Sequence, residues 1–97
     1  MDTRITARHF SASEKLKSFV NNRVGKLERF YDGITDARVI LSKHNAAGGS
    51  KVAEITVNVR RNSLVAQEEA VTYEEAIDRC VCRLGRQILK YKGKRRG

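Results

Sequence analysis

The chain of 97 residues has no proline and no tryptophan, only two histidines and two cysteines, and only 6% aromatic residues. Each scarcity removes a class of function. With no proline, no internal repeat and no low-complexity stretch before the C-terminal tail, there is no linker on which to divide the chain, and its length suits one compact domain. His9 and His44 fall on different elements and no Cys-His metal spacing occurs, so a zinc module is not expected. Cys80 and Cys82 lie two residues apart on one helix and point roughly 200° away from each other, so they cannot pair. Cys80 reads as a core residue and Cys82 as a free thiol on the outer face. Gly48 and Gly49 form a flexible turn, because no glycine-rich phosphate loop precedes a helix. The longest aliphatic run is Val39-Ile40-Leu41, too short for a signal peptide or a membrane span, which points to a cytoplasmic protein without membrane contact.

Acidic residues are also in deficit. Lys and Arg number 20 against 11 Asp and Glu, a net charge of +9 at neutral pH. Such an excess favours polyanions, and attraction alone does not choose between nucleic acid, an acidic membrane and an acidic protein.

Hydrophobic periodicity orders the elements. Residues 3–8 read as a short strand with Ile5 and Ala7 on one face. Ser11-Ala12-Ser13-Glu14 then fits a helix start with a capping box. A first helix follows, with Leu16, Phe19, Val20, Val24, Leu27, Phe30 and Tyr31 at helical steps and Asp32-Gly33 as the stop. Gly25 inside it costs a little, tolerable where two elements approach closely. Strands are expected over 37–42, over 51–60 after a flexible 45–50 connection, and over 63–68 after a tight Arg61-Asn62 turn. In the second of these, Ala53, Ile55, Val57 and Val59 alternate with polar residues, as in a sheet with one covered face. A last helix begins near Thr72, capped by its hydroxyl with Glu75 at the box position. The order β-α-β-β-β-α predicts an α+β two-layer sandwich over residues 1–91, with 92–97 as a fraying basic tail.

The last helix separates its two faces. Tyr73, Ala76, Ile77, Cys80, Val81, Leu84, Ile88 and Tyr91 make the apolar stripe. Arg79, Arg83, Arg86 and Lys90 make a cationic stripe opposite. On the first helix Lys15, Asn22, Lys26 and Arg29 share an arc, with Arg23 nearer the apolar boundary, its stem packed and its head in solvent. Side-by-side packing of the helices would merge the two arrays. A solvated surface is the bland alternative, which two stripes plus a basic tail make less economical. Glu68, Glu69, Glu74, Glu75 and Asp78 gather near the second helix's start, where negative charge suits the macrodipole. No apolar pocket surrounds them, so no enzyme, cofactor, metal or small-molecule substrate is expected. Lys and Arg arrays without base-reading partners or paired strand aromatics favour recognition of phosphates and shape.

Several short segments, in order and spacing, resemble those of the ribosome hibernation-promoting factors and the ribosome-associated inhibitor called protein Y, the sigma-54 modulation protein family. They are Arg23-x-x-Lys26-Leu27-Glu28, Val39-Ile40-Leu41-Ser42-Lys43, Leu64-Val65-Ala66, and Tyr73-x-x-Ala76-Ile77-Asp78 running into Leu84-x-Arg86-Gln87 and Lys90. The resemblance covers nearly the whole chain. It implies a four-stranded sheet with two helices on one face, similar to double-stranded RNA-binding domains. It also implies binding to rRNA in the small ribosomal subunit's cleft between head and body, over the messenger and transfer RNA sites, holding idle ribosomes inactive. The family's RNA-contacting positions would fall on Arg23, Lys26 and Arg29 and on Arg83, Arg86 and Lys90. The stripe adds Arg79, and the tail adds Lys92 and Lys94.

The pattern departs from the family at Val71, where an acidic residue is common, and at the two cysteines. With a basic tail, and neither an acidic tail nor a further domain, the chain resembles the short hibernation factors. Such proteins would join ribosomes in pairs only with a separate ribosome modulation factor. A general double-stranded RNA module and a regulator of an acidic protein partner are the other two classes to test.

Overall fold

The order of elements follows from where the pattern changes period. The computed structural model of the chain describes residues 2–44 and 49–95, with side chains through residue 93. Strand β1 (Asp2–Ala7) leads to helix α1 (Glu14–Gly25) and a 3-10 turn (Lys26–Arg29). Strands β2 (Ile34–Lys43), β3 (Lys51–Val59) and β4 (Asn62–Ala70) follow, then helix α2 (Tyr73–Arg95). This is the expected β-α-β-β-β-α order. Most of the expected 45–50 connection lies outside the described residues.

The strands form one sheet in the order β1-β2-β3-β4. β1 runs parallel to β2, with Ile5 opposite Val39, and the other two pairs are antiparallel. A parallel pair needs a long crossover, and α1 supplies it on the covered face. There Ala37, Val39 and Leu41 of β2 join Ala53, Ile55, Val57 and Val59 of β3 in one core with Leu16, Val20, Val24 and Leu27 below and Ala76, Ile77, Cys80, Leu84 and Ile88 from α2. No polar or charged residue is fully buried among the described residues. Cys80 is the nearest to an exception. Its thiol lies 3.2 Å from the carbonyl oxygen of Ala53 and 3.6 Å from that of Ala66, and burial pushes its pKa up to about 12.

The solvent face of the sheet is polar. Asp36 accepts from the Asn58 amide at 2.9 Å and from the Thr35 hydroxyl at 3.0 Å. These bonds hold its carboxyl below the usual carboxylate range.

The expected caps are half right. Ser13 caps α1, its hydroxyl oxygen accepting from the Leu16 amide at 3.1 Å, while Glu14 turns to Lys17 at 3.5 Å instead of closing a box. Thr72 accepts from the Glu75 amide at 3.1 Å, but the Glu75 carboxylate is drawn to Arg79.

Two helix ends differ from expectation. The α-helical part of α1 stops at Gly25, and the 3-10 turn carries the chain on from there. With about three residues per turn instead of 3.6, that segment rotates Phe30 off the apolar stripe, and Phe30 is 40% exposed. Gly25 serves no close approach, since a Cβ there would meet nothing within 4 Å. Gly33 does: a Cβ would fall 2.4 Å from the Tyr31 ring, which folds over it. At the C-terminal end α2 continues through Arg95, past the expected end of the domain at residue 91. Residues 96–97 lie outside the described ones.

Candidate nucleic-acid interface

Both helices lie on the covered side of the sheet, and their contacts advance together along the chain. Arg23 of α1 meets Asp78 of α2, Phe30 lies against Gly85, and the Tyr31 ring packs edge-on against Tyr91 at 5.8 Å. The helices therefore run parallel, and the two cationic arrays expected from the sequence share one surface.

That surface is uneven. Glu74 and Glu75 lie in the first turn of α2, as the macrodipole favours, and several carboxylates of the acidic cluster also pair with the basic stripe. Arg79 pairs with Glu75 at 2.9 Å and donates to the Glu69 carbonyl at 3.0 Å. Arg83 pairs with Glu68 of β4 at 2.5 Å. Glu69 pairs with His44 at 2.7 Å. Arg23 is half-buried, with its guanidinium 4.7 Å from the centre of the Phe19 ring and its Nε 3.2 Å from Asp78. The Nε has no hydrogen-bonded partner, so this pair is a charge contact without a directed bond. As expected, Arg23 packs against its own helix and keeps part of its side chain in solvent, 35% exposed, and it also lies beside Asp78.

Beyond Arg83 the compensation ends. The guanidinium of Arg86 lies 3.6 Å from the Cys82 sulfur, with no carboxylate beside it among the described residues. Lys90, and Lys26 and Arg29 of the 3-10 turn, are exposed and make no ion pair among the described residues. Lys92 donates to the Phe30 carbonyl at 3.2 Å, tying the end of α2 to the segment after α1. The side chain of Lys94 lies outside the described ones. A shallow depression lined by Arg83, Arg86, Gln87, Leu89 and Lys90 runs along this half of α2.

Sequence reasoning named Gln87 only within a family segment and gave it no contact, whereas its amide donates to the Val65 carbonyl of β4 at 3.0 Å, and it did not single out Leu89, which is 53% exposed. Gln87 sits beside the cationic stripe at a helical step toward β4, a position visible in sequence only once the neighbouring element is known. No group of three or more His, Cys, Asp or Glu able to hold a metal occurs among the described residues. None of their helices is long and apolar enough to cross a membrane.

A small α+β domain with one helical face rich in cations that have no carboxylate partner among the described residues is a class suited to dock on polyanions. The chain belongs to the family described as sigma 54 modulation protein / S30EA ribosomal protein, whose model matches residues 3–96. It is 29% identical to ribosome hibernation promoting factors of Escherichia coli K12 and Azotobacter vinelandii, over 97% of this chain and 96% and 85% of theirs. Against the ribosome hibernation promotion factor of Deinococcus radiodurans it is 29% identical over 91% of this chain, but it spans only about half of that protein, 47%. Among solved structures it matches the N-terminal domain of Thermus thermophilus protein Y with a TM-score of 0.81 at 29% identity, covering 94% of this chain and 99% of that one. A ribosomal subunit interface protein from Coxiella burnetii gives a TM-score of 0.86 at 19% identity, covering 96% and 99%, a likeness of fold.

Proposed function

We propose that this protein is a ribosome hibernation factor that docks on rRNA in the small-subunit cleft and excludes messenger and transfer RNA without chemistry. The observation that carries this reading is the cationic surface made by Lys26, Arg29, Arg86 and Lys90, which have no ion-pair partner among the described residues, with Lys92 at its margin. The names of the relatives supply the ribosome. The surface supplies a physical means of holding it.

The mechanism is competitive occlusion. Rigid helices hold the cations in place, so little order is lost when phosphates displace the counterions around them. The domain then fills space that nucleic acid ligands need, and its release restores the site. Arg83 adds to the interface when phosphate competes with Glu68, and Arg23 and Arg79 support it from its compensated side. Pairing of ribosomes by a separate modulation factor would be a later step on the docked complex.

Sedimentation of the protein with purified subunits and assembled ribosomes tests this. Co-migration with the small subunit, weakened by excess transfer and messenger RNA, is expected. Binding should also fall steeply with salt, with a log-log slope of roughly 0.7 to 0.9 for each phosphate contacted. Retention at the top of every gradient, or salt-independent binding, would overturn the proposal. Equal affinity for free duplex RNA would point instead to a general RNA module, and capture of an acidic protein in nuclease-treated lysate to a protein regulator.

A further inference from the structure

We propose that Phe30 is a stacking platform for one unpaired RNA base, so that the interface reads a base face as well as phosphates. This deepens the docking reading and rests on it. Exposure alone does not carry the inference, since Val71 at 82% and Val65 at 47% are exposed too, and isolated exposed hydrophobic residues are ordinary. What distinguishes Phe30 is how it is mounted and what surrounds it.

The backbone at Phe30 is held from both sides. Its amide donates to the Leu27 carbonyl at 3.1 Å, and its carbonyl accepts from Lys92 at 3.2 Å. The next residue, Tyr31, is wedged between Gly33 and the Tyr91 ring, and the Tyr91 hydroxyl donates to the Arg60 carbonyl at 2.9 Å. One ring edge of Phe30 faces Gly85, where an added Cβ would meet it in van der Waals contact at 3.6 Å. The ring thus rests against the buried Gly85 of α2, and Leu89, one turn on, is exposed as well.

The setting is cationic. Lys26 and Arg29 precede Phe30 by four residues and one, Arg86 follows Gly85, and Lys92 holds the Phe30 carbonyl. An aromatic ring on a rigid mount among exposed cations matches an unpaired nucleotide, whose base offers a π-face and whose neighbours offer phosphates. An acidic protein segment would satisfy the cations but has no use for a flat ring. RNA is therefore the occupant that fits both features.

Affinity for purified small subunits, measured across a salt series, separates the ring from the charges. Phe30→Ala and Phe30→Leu should each weaken binding about 5- to 150-fold at every salt concentration, with the log-log slope unchanged. Phe30→Trp should retain wild-type affinity. Leu keeps apolar volume without the π-face, so a Leu variant that binds like wild type would reduce the ring to packing and overturn the proposal. A changed slope in Phe30→Ala would overturn it as well, because the ring would then act by placing charges. A single-stranded RNA carrying 2-aminopurine gives an arm independent of the ribosome. Its fluorescence should be quenched by wild type and Phe30→Trp and not by Phe30→Ala or Phe30→Leu. If wild type binds no subunits yet quenches the probe, the docking reading fails and the platform stands. If polyglutamate binding depends on Phe30 and quenching does not occur, the ring belongs to a protein partner and the platform fails.

Discussion

The two halves of α2 carry the same kind of cation and use it differently. In the N-terminal half, Arg79 and Arg83 are matched by Glu75 and Glu68, and Arg79 also reaches a backbone carbonyl of β4. In the C-terminal half, Arg86 and Lys90 have no carboxylate partner among the described residues. On the helix surface the four positions form one stripe, and the strand beside it divides them. A basic stripe is thus only a supply of charge. The neighbouring element decides how much of that charge remains for a partner.

The comparison is most directly broken by reversing the free half. Arg86→Glu with Lys90→Glu should cost about 3 kcal/mol or more in subunit binding, taking about 1.5 kcal/mol for each charge-assisted hydrogen bond to phosphate that is removed. The thermal midpoint should barely move, since both heads are exposed. Tight binding by this folded double variant, read by sedimentation, would mean the free half is merely solvated. Reversing the matched half should shift the balance toward stability. Arg83→Glu sets two carboxylates together and should lower unfolding free energy by about 1 kcal/mol in urea titration, with a smaller loss of binding than the first variant.

Glu68→Gln sharpens the contrast from the other side. Releasing Arg83 to a phosphate should raise subunit affinity by about 0.5 kcal/mol, roughly twofold. Unchanged affinity would place Arg83 outside the docking surface. The smallest effect is on the outer sheet face. The carboxyl of Asp36 is depressed in the folded state by its bonds to Asn58 and Thr35. Its contribution is therefore present above the unfolded carboxylate pKa and is lost as pH falls through the lower folded value. Asp36→Asn should flatten that part of the stability-pH curve below about pH 4. It should leave subunit binding near neutral pH as in wild type.

Sequence pattern carried the scaffold further than the site. The apolar stripe of α2 was legible because Ala76, Ile77, Cys80, Leu84 and Ile88 recur at helical steps, and all five are fully buried. The alternation of Ala53, Ile55, Val57 and Val59 likewise marks the covered face of β3. Phe30 was misplaced for a definite reason. Helical counting assumes 3.6 residues per turn, and the segment after Gly25 winds more tightly. Nor could spacing show that β1 joins the sheet in parallel beside β2. Among the cations, position on a helix was readable and freedom was not. Glu68 is 15 residues from Arg83 in sequence, and only the docking of α2 on β4 brings them together. The place of Glu74 and Glu75 in the first turn of α2 was legible, whereas the ion pairs of Glu68 and Asp78 were not, because their partners lie on other elements.

One arrangement also bears on how the protein behaves in a crowded cell. β4 has a neighbouring strand on one side only, and the carbonyls of Val65 and Glu69 on its open side are taken by Gln87 and Arg79. An open strand invites pairing with another copy, a common start of aggregation. α2 occupies that row of acceptors and so shields the flank from accretion. The opposite flank, β1, has no comparable side-chain donors among the described residues and relies on its short span of six residues and on its charges at Asp2 and Arg4. Of the two flanks of the sheet, β4 is therefore the one covered by its own chain.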